Sequence, residues 1–257
     1  MDTLLYFDRW VLRYLLNDQP GDKHPAAYRA MVGRALWRYP HVAEFCRNKA
    51  PECAPYVDAA LNSVPADLDD RAARQAETAF LQHHETFVVY AWPEVMERVN
   101  YIADWDRKWL DELIDLTGLV VLDVGAGTGR LAFAAARDAL RVYASEPCDR
   151  LREYIRDRIS DRAITNMKVV DGTATCLPFE DATFDAVLSG HVVGDDYEGE
   201  LNEMRRVTKS GGWLIICNGD DEFQRALPDG ELLRRGFEAF RHESPSGGII
   251  YNYRLRV

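Results

Sequence analysis

Val120-Val121-Leu122-Asp123-Val124-Gly125-Ala126-Gly127-Thr128-Gly129-Arg130 is the stretch whose reading decides the fold of this chain. Its first five residues, apolar apart from Asp123, predict a parallel strand buried on both faces. Glycines then fall at every second position, and Leu131-Ala132-Phe133-Ala134-Ala135-Ala136 follows as an alanine-rich helix without internal Gly or Pro. A strand that turns through glycines onto a helix N-terminus brings bare backbone N–H groups close to a ligand. That geometry suits a nucleotide-like cofactor.

Outward from this turn the chain has two textures. From residue 119 onward, short apolar runs alternate with helical ones, which predicts a parallel α/β sheet. The expected strands are 119–124, 141–146, 167–171, 184–189 and 213–217, the last following a turn at Lys209-Ser210-Gly211-Gly212. The segments 236–243 and 249–257 flank Ser244-Pro245-Ser246-Gly247-Gly248 as an antiparallel hairpin. The first hundred residues read as wholly helical. An amphipathic run from Leu4 to Leu16 stops at Asn17-Asp18-Gln19-Pro20-Gly21, and further helices are expected over 25–38, 40–49, 53–62, 67–90 and 94–116.

The glycine spacing selects among cofactors. A dinucleotide fingerprint, G-x-G-x-x-G, wants its third glycine where Arg130 stands; here that glycine is Gly129, and Asp123 precedes the first by two residues. This G-x-G-x-G with a preceding acid resembles the first motif of class I S-adenosylmethionine-dependent methyltransferases. The order of elements over 119–257 is similar to that family too. The resemblance implies an α/β, Rossmann-like methyltransferase sheet of five parallel strands with a C-terminal antiparallel hairpin, here preceded by an all-helical N-terminal extension. It implies S-adenosylmethionine as cofactor, lying over Asp123, Gly125, Ala126, Gly127 and Gly129. Glu146 ends the second strand, where an acid can accept hydrogen bonds from both ribose hydroxyls, and Pro147 offers an apolar edge to adenine. Asp171, Gly172 and Thr173 end the third strand, and in the family this acid and the next N–H meet adenine. The text from Leu177-Pro178-Phe179 to Phe184 also follows the family's pattern.

After the fourth strand come Ser189, Gly190 and His191, which should border the reactive methyl because ligands of open α/β sheets bind beyond the strands' carboxyl ends. His191 is the candidate general base, with contact to the cofactor or simple packing as its other readings. Tyr101 is the lid candidate for the cofactor's methionine end. Tyr101, Trp105 and Trp109 recur at helical spacing, a pattern more typical of core than of a substrate box. Asp195, Asp196, Asn218, Asp220 and Asp221 could hold a hard cation, but acidic loops facing water explain them better, and no metal is expected. His83-His84-Glu85 lacks the histidine pair of a helical zinc site and reads as surface polarity.

The formal charge is −11, with the excess acid spread over both halves of the chain. No basic surplus suits a phosphate backbone, so nucleic acid is not an expected partner. Five scattered cysteines read as buried free thiols, and no apolar span is long enough for a membrane, which together point to the cytoplasm. The expected organisation is a helical cap over 1–92 and a catalytic domain over 93–257. The expected reaction is SN2 methyl transfer to an oxygen, nitrogen or carbon of a small molecule. A binding protein that holds the cofactor without turnover is the alternative, ahead of a nucleotide-dependent oxidoreductase; a homodimer through the helical region stays open.

Overall fold

The computed structural model describes residues 1–16, 25–220, 226–245 and 247–257, so the expected stop at Asn17–Gly21 lies outside the described residues. The chain divides into two compact units, Met1–Trp92 and Pro93–Val257.

In the first unit a 3-10 turn, Asp2–Tyr6, leads to α1 (Arg9–Leu15). Asp8 separates them: its carboxylate accepts the Val11 amide at 3.0 Å and caps α1, so the expected continuous run starts afresh there. Then follow α2 (Pro25–Leu36), α3 (Pro40–Lys49), α4 (Ala54–Asn62) and α5 (Asp70–His83). Helix α5 begins at the Asp69 cap and ends at His84, short of the expected 67–90; α6 (Val88–Ala91) follows after another 3-10 turn. Val11, Leu12, Leu15, Leu36, Val57 and Phe80 are among the buried residues that hold this unit together. His84 is half-buried and bonded through Nε2 to the Tyr28 hydroxyl at 2.7 Å, so surface polarity does not describe it.

The second unit opens with three single-turn helices, α7 (Pro93–Met96), α8 (Asn100–Ala103) and α9 (Lys108–Asp111), where one helix was expected over 94–116. Asp106 and Asp115 accept the amides of Lys108 and Thr117 with their side chains, each at 2.9 Å, and such local turns compete with helical bonding. The sheet then alternates with helices: β1 (Val120–Val124), α10 (Arg130–Ala135), β2 (Arg141–Ser145), α11 (Asp149–Asp161), β3 (Met167–Val170), β4 (Phe184–Ser189), α12 (Tyr197–Val207), β5 (Thr208–Ile216), α13 (Gly230–Arg234), β6 (Glu238–Glu243) and β7 (Ile249–Arg256).

The strand order is β3-β2-β1-β4-β5-β7-β6. The first five strands are parallel, and β7 pairs antiparallel with both β5 and β6. The expected turn at Lys209–Gly212 is instead part of β5. Thr208 pairs with Phe184 and Trp213 with Ala186, so the intervening residues bulge out. Alternate residues of each central strand feed two cores. Val121, Leu188 and Ile215 pack with Leu131 and Ile155 on one face; Leu122, Val187 and Leu214 pack with Leu201 and Met204 on the other. Burial on both faces accounts for the near-continuous apolar strands.

Phe184 is fully buried and meets Phe179 and Tyr143 edge-on, at centroid distances of 4.8 and 5.7 Å. Phe184→Ala is expected to lower the free energy of unfolding by about 3–5 kcal/mol in urea titrations.

Candidate functional site

The order reverses between β1 and β4, and the crevice at their carboxyl ends is where ligands of open α/β sheets bind. The glycine loop occupies that place. Gly125, Gly127 and Gly129 have φ of 65°, 57° and 91°, a region that side chains disfavour. A Cβ at Gly125 would also fall 2.3 Å from Val192 Cγ2, and one at Gly129 2.7 Å from the Phe133 ring. At Gly127 it would meet nothing closer than Met96 Sδ at 3.4 Å, so the loop's backbone is open there apart from α7. Arg158 binds this edge from α11, donating to Glu97 at 2.6 Å and to the Thr128 carbonyl at 3.3 Å.

Asp123 does not face the crevice. It is 1% exposed, and Oδ2 accepts the Ala132 amide at 2.9 Å, which fixes the first turn of α10 beneath the loop. Burial pushes its carboxyl up to about 7, opposed by the Ala132 bond and the Arg130 charge. Its part in cofactor binding is therefore indirect.

Glu146, at the end of β2, is buried and reaches the loop: Oε2 accepts the Gly127 amide at 2.8 Å and Oε1 the Cys148 amide at 2.9 Å. A carboxylate accepts about four hydrogen bonds, and two of these orient Glu146. Pro147 beside it is half-buried. Arg152, which sequence reasoning passed over, donates to the Glu146 carbonyl at 2.7 Å and lies 3.3 Å from the Asp171 carboxylate. One buried guanidinium thus spaces the two acids that were expected to hold an adenosine. Asp171 is exposed, Gly172 receives the Ser145 hydroxyl on its carbonyl at 3.1 Å, and Thr173 pairs through its backbone with Cys176. Ala126 donates to the Ser145 carbonyl at 3.0 Å, joining loop to β2.

Ser189 at the end of β4 and Thr128 in the loop are fully buried, and neither hydroxyl has a hydrogen-bond partner among the described residues. His191 has φ of 59°, a strained conformation of the kind that clusters at functional sites. Its ring lies 4.8 Å from that of Tyr101, and its Nε2 accepts the Gly219 amide at 2.7 Å. The lone pair a general base would use is thereby spent, and the imidazole joins the ends of β4 and β5 instead. Burial raises the Tyr101 phenol above its ordinary range. Trp105 is half-buried, Trp109 is in the core, and the three aromatics sit on separate short segments rather than on one helical stripe.

Beyond His191 lies a cavity of about 380 Å³ whose walls include Val192, Val193, Asp195, Asn218, Asp229, Ile250 and Tyr251. Two of the residues considered as cation ligands have structural work: Asp196 caps α12 through the Gly199 amide, and the Asn218 side-chain amide oxygen accepts the His191 amide at 2.9 Å. Asp220 is buried rather than facing water, and Asp221 lies outside the described residues. Cys176 is exposed, whereas the other four cysteines are buried. Among the described residues no helix is long and apolar enough to cross a membrane.

Because the Asp123 carboxyl titrates well above its unfolded value of 3.8, the native state holds a proton that the unfolded chain has lost. This contribution to stability is present at low pH and fades as pH rises from about 4 to about 7. Asp123→Asn keeps an acceptor for Ala132 and is expected to remove that slope, about 3 kcal/mol between pH 5 and pH 8. Denaturation at the two pH values measures it; an unchanged slope contradicts the assignment.

Residues 122–216 match the family model described as "Methyltransferase domain". Over 158 residues the chain is 28% identical to the demethylmenaquinone methyltransferase of Lactococcus lactis, covering 59% of this chain and 60% of that one. It is 34% identical over 129 residues to the protein of the same name from Clavibacter sepedonicus, covering 49% of each. The chain therefore spans about half to three-fifths of the length of these curated relatives. In fold it is similar to a putative S-adenosyl-L-methionine-dependent methyltransferase from Methanococcus maripaludis, with a TM-score of 0.51 at 18% identity over 65% of this chain and 90% of that one. The glycine loop, the strand order and the match over 122–216 agree: this part of the chain is similar to the methyltransferase domain and has the fold of S-adenosylmethionine-dependent methyltransferases.

Proposed function

We propose that the chain binds S-adenosylmethionine above Gly125–Gly129 and transfers its methyl group to a small molecule held in the cavity beyond β4 and β5. The observation that carries this reading is the Glu146 carboxylate lying on the Gly127 amide, at the mouth of a loop with three left-handed glycines. The donor and acceptor set fits the cofactor. Glu146 would accept the ribose hydroxyls while its bonds to the Gly127 and Cys148 amides orient it. Asp171 and the Gly172 amide would meet adenine, with Pro147 along its edge. Ser189 and Gly190 would lie below the methionine portion, and Tyr101 beside it.

When bound, the cofactor supplies an electrophilic methyl on a sulfonium. The chain's own task is then alignment of an acceptor atom in line with that methyl, which by itself yields much of a rate enhancement. Aromatic faces such as Tyr101 tolerate the sulfonium charge without the strong ground-state grip of a carboxylate. With His191 Nε2 occupied by Gly219, no proton leaves the acceptor through that atom while the bond holds. Among the described residues the cavity wall carries Asp195 and Asp229 and no Lys or Arg, which favours a neutral acceptor over a phosphorylated or carboxylated one. The curated relatives are named for demethylmenaquinone; a carbon acceptor on an uncharged ring is compatible with this wall.

Calorimetry on the whole chain tests the reading. Micromolar binding of S-adenosylmethionine and S-adenosylhomocysteine, with none of NAD(H), is expected, and no binding of either sulfur compound contradicts it. Glu146→Ala is expected to weaken S-adenosylhomocysteine binding by about tenfold or more, the worth of a charge-assisted hydrogen bond. An affinity within about twofold of the parent would remove Glu146 from the site.

A further inference from the structure

Arg130 entered the sequence reading as a missing glycine; the structure gives it a positive task. It is the first residue of α10, directly after Gly129. Its Nη1 donates to the Tyr101 carbonyl at 2.8 Å and its Nη2 to the Cys217 carbonyl at 3.0 Å, while the guanidinium faces the Trp105 ring at 5.1 Å. Among the described residues no carboxylate lies within ion-pair distance of it. Asp123, the nearby acid, is tied to Ala132. Arginine does not deprotonate in proteins, so the fold keeps a desolvated cation held by two carbonyl dipoles and an aromatic face, with Asp123 near enough to feel its charge but not in ion-pair contact. Such an arrangement is costly, and an apolar side chain of similar volume would avoid the cost.

The same segments meet again without Arg130. Gly219 lies so close to the backbone of Tyr101 that a Cβ there would be 2.0 Å from the Tyr101 carbonyl oxygen. The His191 ring lies tilted against the Tyr101 ring and accepts the Gly219 amide. Gly190 leaves the room the guanidinium needs: a Cβ at that position would be 2.4 Å from Arg130 Nη2. Four pieces of chain therefore converge on one side chain: α8, the glycine loop, the end of β4 and the end of β5. Two of them, through His191 and Gly219, also border the cavity.

We infer that Arg130 is a positioning residue that latches α8 across the ends of β1, β4 and β5, holding Tyr101 between the cofactor loop and the acceptor cavity. What the latch positions rests on the function proposed above; the latch itself does not. A planar fork suits the task because it donates to two carbonyls in fixed directions, which a lysine ammonium does only as a point charge. Release of a bound cofactor past Tyr101 would require the latch to open.

The test uses the full chain with Arg130→Met, Arg130→Lys and, as control, Arg137→Met at an exposed arginine just past α10. Hydrogen exchange is followed in the unliganded protein over 100–105 and 217–219, and the dissociation rate of S-adenosylhomocysteine is measured by stopped flow. Arg130→Met is expected to speed exchange of both segments together, with β1 and β4 still protected, and to speed ligand release, each by about tenfold. Arg130→Lys should recover part of both effects and carries the test if the methionine variant does not fold; Arg137→Met should change neither. Exchange within about twofold of the parent in a folded Arg130 variant overturns the latch. Faster exchange with unchanged ligand release overturns the positioning role. Faster exchange in a protein that binds no S-adenosylhomocysteine keeps the latch and sinks the proposed function instead.

Discussion

The hydrogen bond from the Ala132 amide to the buried Asp123 carboxyl is the constraint on which the ligand-facing half of this protein depends. Between Val124 and Arg130 the chain must leave a central strand, reverse and start a helix within five residues. Positive φ at alternate glycines makes the turn sterically available; Asp123 fixes where the helix begins once the turn is made. Without the tether, the backbone amide that Glu146 now accepts would have no defined position. The loop is thus set from below by Asp123 and from the side by β2, through Ala126 and the Ser145 carbonyl.

The opposite bank of the crevice is organised by hydrogen bonds that run between strand ends. Asn252, fully buried on β7, accepts the Asn218 amide at 2.7 Å; Asn218 in turn accepts the His191 amide, and His191 accepts the Gly219 amide. Linked polar groups of this kind in a low-dielectric interior stiffen one another. The C-terminal hairpin therefore does more than close the sheet, since β7 places the loops after β4 and β5. That is a physical reason for inserting β7 antiparallel between β5 and β6.

Much of this was legible in the sequence because strands buried on both faces leave long apolar runs, and β4 has the predicted bounds. Positions tied to a strand end, such as Glu146 after β2, were readable for the same reason. What escaped were features decided by distant partners. Nothing local at Lys209-Ser210-Gly211-Gly212 distinguishes a bulge in a strand from a turn, since the pairing with β4 settles it. The imidazole of His191 reads as a candidate base from the sequence, yet its role follows from Gly219, 28 residues away. The task of Arg130 was silent too, because a guanidinium that binds backbone carbonyls leaves no complementary residue type to search for. The broken helices over 94–116 did carry a signal, in the side chains of Asp106 and Asp115 that cap local turns.

Among the described residues, the buried Thr128 and Ser189 hydroxyls beside the crevice have no hydrogen-bond partner. The most direct measurement of the central claim is a crystal structure grown with S-adenosylhomocysteine. The account predicts density over Gly125–Gly129, both ribose hydroxyls within hydrogen-bond distance of the Glu146 carboxylate, and adenine beside Asp171 and Gly172. Density elsewhere, or a crevice in which no ligand is seen at saturating concentration, would contradict it.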